Sequence, residues 1–223
     1  MSFALRLTED RLGPGACLSL PPLPRVLYAR NAAVTTVQPD LAAPATTIAP
    51  GSAWHGAGAA TLCAESEATV LRFELIRGGM APESATGKVD SRRLLVHAID
   101  LDPARAWLMR CDRVDFAPGG VALPHGHQGG GIRCLLTGTL EVTVGDGPSR
   151  LMRMGDAWFE SGREPVLARA LPEVPTAFVR VAILPREIRG RSSIVYVDPA
   201  DAARGRPRQY TVYVDEPVEL TSA

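Results

Sequence analysis

Residues 119–138 read GGVALPHGHQGGGIRCLLTG, and this stretch decides how the rest of the chain is read. On a β-strand successive side chains point to opposite faces, so His125 and His127 project from one face and their ring nitrogens can converge on one point. The Gly129-Gly130-Gly131 run is turn chemistry, residues 132–136 form an apolar strand, and Gly138 opens a hairpin to Leu140-Glu141-Val142.

Outward from this stretch, 19 prolines and 21 glycines interrupt the chain so often that no segment keeps a 3.6-residue apolar period over three turns. Strands are expected at 25–28, 68–76, 92–99, 113–116, 132–136, 140–144, 157–160, 166–170, 177–183, 194–197 and 210–214, which suits an all-β barrel or sandwich. Gly51-Ser52-Ala53-Trp54 followed by the strand at Ala68 resembles Gly155-Asp156-Ala157-Trp158 followed by the strand at Ala177, and each strand carries a central arginine, Arg72 or Arg180. An internal duplication accounts for this. The glycines, proline and serine of residues 77–90 read as a linker, giving a first half at 1–80 and a second domain at 91–223; copies that exchange end strands are the alternative.

Basic and acidic residues balance at 24 each, so no field of one sign draws the chain to nucleic acid or anionic lipid. No apolar run approaches the roughly 20 residues of a spanning helix, and the first thirty residues lack a signal-peptide core, so a cytoplasmic protein is expected. The four cysteines are scattered without a C-x-x-C pair and are expected to be reduced and mostly buried. No G-x-S-x-G, P-loop or H-E-x-x-H motif occurs, and the glycine triplet precedes a strand rather than a phosphate-binding helix N-terminus.

The chain resembles the cupin superfamily, whose first motif is G-x5-H-x-H-x3,4-E-x6-G. Gly119, His125, His127 and Gly138 match it in register, while Gly131 stands in the glutamate slot. Of the second motif, G-x5-P-x-G-x2-H-x3-N, Gly155 is present, but Ser161 stands at the proline and Val166 at the histidine. The resemblance implies double-stranded β-helix jelly-roll barrels, bicupin-like in two tandem copies, the first copy degenerate and lacking H-x-H.

It also implies a divalent metal ion (iron, manganese, nickel or zinc) on His125 and His127. Catalytic sites usually add a third protein ligand, for which Glu160 and Glu164 and then His97 are the candidates. The alternative is that the histidines are relics at a barrel mouth. Gln128 could ligate or bind substrate. Arg133, two residues past the empty slot, either turns inward as a carboxylate anchor or faces out toward a neighbour such as Glu141. Trp158 and its counterpart Trp54 either line a pocket or pack the core. His55 and His97 read as structural histidines, and residues 198–208 as a solvated connection.

The function expected is that of a metal-dependent cupin acting on a small organic substrate, carboxylated or aromatic, with dioxygenase, isomerase and lyase chemistries all implied by the resemblance. A sensor or binding module that has lost its metal is the alternative, and a purely assembling barrel the third reading. The resemblance and the need to cover open sheet edges imply a homodimer.

Overall fold

The computed structural model describes residues 3–38, 44–77, 83–204 and 208–220. The chain divides into two compact units, Met1–Asp102 and Pro103–Ala223. Each is two five-stranded antiparallel sheets closed over an apolar core.

The first unit contains β1 (Phe3–Leu12), β2 (Cys17–Leu20), β3 (Arg25–Ala29), β4 (Val34–Val37), β5 (Thr46–Ile48), β6 (Ala53–Gly56), β7 (Ala60–Cys63), β8 (Ala68–Arg77), β9 (Ser84–Thr86) and β10 (Val89–Ile99). The second contains β11 (Trp107–Phe116), β12 (Val121–His127), β13 (Gly131–Thr137), β14 (Thr139–Val144), β15 (Arg150–Arg153), β16 (Ala157–Glu160), β17 (Val166–Ala170), β18 (Thr176–Pro185), β19 (Ile194–Tyr196) and β20 (Arg208–Val218). The sheets are ordered β10-β1-β8-β3-β6 and β9-β2-β7-β4-β5 in the first unit, β20-β11-β18-β13-β16 and β19-β12-β17-β14-β15 in the second. Adding ten to a strand number converts one unit into the other, so the expected duplication extends over the whole topology. No helix among the described residues is long and apolar enough to cross a membrane.

Several expectations are corrected. The division falls after Asp102 rather than within 77–90, because β10 pairs along its length with β1 and belongs to the first unit. Of the expected linker, Ser84–Thr86 is a strand on β2, while Gly78, Gly79 and Pro82 lie outside the described residues. The described ladders join strands of one unit only, so the copies do not exchange end strands there. Finally, Cys17 and Cys63 are not free thiols: they face each other across β2 and β7 and form a disulfide. Spacing alone could not bring together two cysteines 46 residues apart.

The sequence pattern missed β1, whose charged residues Arg6, Glu9 and Asp10 hide its strand alternation. Those side chains are buried because they are paired: Arg72 bonds Asp10 at 2.7 Å through Nε and Glu74 at 2.9 Å, and Arg25 bonds Glu74 at 3.2 Å. Fully paired charges can enter a sheet interior that would reject them singly.

Candidate functional site

The site lies in the second unit, where the core gives way to polar side chains. Val114, Phe116, Leu140, Val166 and Phe178 form the apolar floor, and His125, His127, Arg133, Glu160, Arg180, Arg208 and Tyr210 the layer above it. Both histidines face inward, as their spacing predicts. A bulge in the β12–β17 pairing between Ala122 and His125 lets the strand turn them there. Their ring centroids are 4.9 Å apart, edge to face.

His125 Nδ1 lies 2.6 Å from the Leu123 carbonyl and donates to it, leaving Nε2 as acceptor. His127 lies between cation and anion. Arg180 Nη1 is 3.2 Å from its Nδ1 and 3.4 Å from its Nε2, Ser193 Oγ is 3.4 Å from Nδ1, and Glu160 Oε2 is 3.6 Å from Nε2. Burial first, and then the neighbouring Arg180 and Arg133, hold the His127 imidazole well below its ordinary value; burial does the same more mildly to His125.

Glu160 is one of the two acids expected as candidate third donors, and it does meet the histidines. Its Oε1, however, accepts from Trp158 Nε1 at 2.8 Å, and its Oε2 is 2.6 Å from Arg133 Nη2. Arg133 is turned inward and fully buried, with Nη1 donating to the Gly131 carbonyl at 2.6 Å; it does not pair with Glu141, which accepts from Ser149. Burial lowers the Arg133 pKa to about 10. Trp158 is both core and wall, stacked edge-on to Phe178 at 5.4 Å.

The remaining candidates are elsewhere. Glu164 is exposed and accepts from Ser161 Oγ, and exposed Gln128 bonds the Ser192 carbonyl, so neither joins the layer. His97 is exposed on β10 in the first unit, with Nδ1 on the Ala98 carbonyl.

Two arginines of the layer were not among the expected site residues. Arg180, central in its strand, makes a bidentate pair with Asp112, Nε to Oδ1 at 3.1 Å. Arg208, assigned with residues 198–208 to a solvated connection, is instead the first residue of β20 and only 6% exposed. Its Nε donates to Tyr210 Oη at 2.6 Å and its Nη2 to Tyr196 Oη at 3.3 Å. Among the described residues no carboxylate lies within ion-pair distance of Arg208. Only Tyr210, in R-x-Y spacing to it, could have signalled an inward cation.

These residues do not fit a divalent metal ion. The His127 ring nitrogens face a guanidinium, Glu160 Oε1 accepts from the Trp158 indole, and Glu160 Oε2 is ion-paired with the Arg133 guanidinium, so the donors a cation needs are already engaged by protein groups. Among the described residues no three His, Cys, Asp or Glu side chains are arranged to hold a metal. Three guanidinium groups against the carboxylates of Glu160 and Asp112 leave the layer cationic, which suits an anion.

The first unit shows how such a site closes. Leu20, opposite Ala60, stands where His125 stands opposite Val166, and Gly56 stands at the place of Glu160. A Cβ on Gly56 would lie 2.3 Å from Trp54 Cη2, so the indole already fills that space.

Because the histidines are neutral in the folded chain and titrate near 6.5 when unfolded, the unfolded state binds more protons below that pH. Stability is therefore expected to fall as pH drops from 7.5 to 5.5. His127→Gln, compared by urea midpoint at the two pH values, should flatten that slope.

No protein-family model and no curated protein sequence matches the chain. Solved structures do. The chain is similar to cocosin, a coconut allergen, at TM-score 0.65 and 11% identity, covering 86% of this chain and 79% of that one. It is similar to the oxalate decarboxylase of Lactobacillus farciminis in a formate complex at 0.64 and 13%, covering 90% and 82%. AerE from Microcystis aeruginosa matches at 0.60 and 9%, covering 81% and 88%. The chain has the cupin jelly-roll fold, present in two copies.

Proposed function

We propose that the second barrel is a metal-independent binding site for a small organic acid, with guanidinium groups doing what a cation does in a metal site. The observation that carries this reading is Arg208, a buried guanidinium whose hydrogen-bond partners are two neutral phenols. Taking an unpaired charge out of water is costly, and an anionic ligand removes that cost on binding. Arg133 Nη2, although 2.6 Å from Glu160 Oε2, is not aligned to donate to it and is left without a hydrogen-bond acceptor. A carboxylate entering the layer can take bonds from both arginines, and planar guanidinium suits planar carboxylate. Neutral His125 contributes Nε2 as an acceptor for a ligand hydroxyl or a protonated acid.

That an oxalate decarboxylase of similar fold occurs as a formate complex supports a barrel of this kind holding a small carboxylate. The rival metal-dependent reading would need His127 and Glu160 to leave their present partners. All of the proposed residues come from one unit, so the reading does not depend on the expected homodimer.

Acetate titrated into the full chain in excess chelator should raise the thermal midpoint, the rise growing with the logarithm of acetate concentration once the site is mostly filled. Arg208→Met should weaken that binding at least tenfold, corresponding to the loss of about one charge-assisted hydrogen bond. Binding that appears only after ferrous, manganous, nickel or zinc ions are added, and disappears in chelator, would overturn the proposal.

A further inference from the structure

A second cavity, about 390 Å³, opens in the same unit between β11, β20 and the segment 190–194. Its wall includes Arg180 and Tyr210, which also line the inner layer. The inner cavity is only about 20 Å³, room for one or two waters by the same measure, whereas ligand pockets run from about 300 Å³ upward. The inner layer by itself can thus accept little more than an acid group.

We infer that the two cavities are parts of one site, and that the ligand is an amphipathic carboxylate: its acid group enters the arginine layer and an apolar body fills the larger cavity against Ile194, Tyr210 and Val212. This rests on the acid-binding reading above and adds the class of acid. Three observations carry it.

First, four of the five charged side chains around the larger cavity are engaged with one another, and the fifth, Arg191, is exposed and donates to the Glu187 carbonyl. Arg110 is bidentate to Asp215, 2.8 Å and 2.9 Å, and Asp112 is bidentate to Arg180, so the cavity presents no free charge for a second ionic group at those positions. Second, Val212 on the edge strand is 55% exposed, an apolar side chain facing open space where a strand edge would ordinarily carry a polar one. Third, the segment that walls the cavity is tied down: Arg110 donates to the carbonyls of Arg191 and Ile188, and Asp215 accepts from the Gly190 amide at 2.7 Å. A wall held by these bonds is already in place before a ligand arrives, which limits the ordering cost of binding.

The test uses the full chain in chelator and compares acetate with 3-phenylpropionate by calorimetric titration. The phenyl acid should bind at least tenfold more tightly. Val212→Trp and, independently, Ile194→Trp should bring the ratio of the two affinities down toward 1, each variant being checked for a native unfolding midpoint. Equal affinity for the two acids in the native chain, or a ratio unmoved in both variants, overturns the inference while leaving the acid-binding reading in place. Failure of both acids to bind the native chain removes that reading and this inference with it.

Discussion

Replacing Asp112 by alanine is expected to destabilise the chain by about 3–5 kcal/mol, the cost of breaking a buried ion pair from one side. The side chains of Arg180 and Asp112 are 5% and 2% exposed, so little solvent is at hand to screen the guanidinium left behind. The surroundings add to the cost. Arg180 would remain near Arg133 and Arg208 with only Glu160 to balance them, and the imidazole beside it is held neutral by burial and by these cations. Adding Arg180→Met to Asp112→Ala should recover most of the loss, because an apolar side chain of similar length needs no counter-charge. Urea unfolding of the single and double variants decides the matter, with Trp107 and Trp158 reporting from this unit. A loss below about 1 kcal/mol in the single variant would mean that Arg180 reaches water, and the closed character assigned to the layer would be wrong.

Removing the Cys17–Cys63 bridge should be nearly as costly, about 4 kcal/mol from the chain entropy released when a link spanning 46 residues is cut. The bridge joins β2 to β7, two short strands of four residues each, in a sheet whose edge strands β5 and β9 have three. Such a sheet has few ladder bonds to hold it, so loss of the link should act chiefly on the first unit. Cys111 and Cys134 are both buried, and burial raises the Cys111 thiol well above its usual value. Alkylation of the denatured chain should therefore find two thiols without reductant and four with it. The unfolding midpoint of Cys17→Ala with Cys63→Ala gives the energy. Four thiols alkylated without reductant would show that the bridge does not form.

The fold was open to reading because its signals are local. An H-x-H between glycines, turn residues every few positions, and a G-x-A-W block occurring twice need only strand alternation and turn chemistry to be interpreted. They led to an all-β duplicated barrel and to inward-facing His125 and His127, while Arg133 stayed open between an inward and an outward reading. β1 was lost because alternation was judged by hydrophobicity, whereas Arg6 and Asp10 are buried as ion pairs with Glu74 and Arg72, partners more than sixty residues away. The same blindness affected the site. Glu160 could be named as a candidate near the histidines, but whether its oxygens were free to ligate depended on Trp158 and Arg133.

The sequence by itself determined the architecture and which strand would carry the paired histidines, since backbone period and turn conformation depend on neighbours in the chain. Only the tertiary structure decided the chemistry those histidines meet. Arg180 and Arg208 reach them from β18 and β20, strands 53 and about 80 residues further on, and the electrostatics of a buried layer are set by which charges the fold brings within a few ångströms. A carboxylate tied to one guanidinium, an imidazole facing a second, and a third guanidinium with no acid beside it together make a site for an anion, a property no single segment carries.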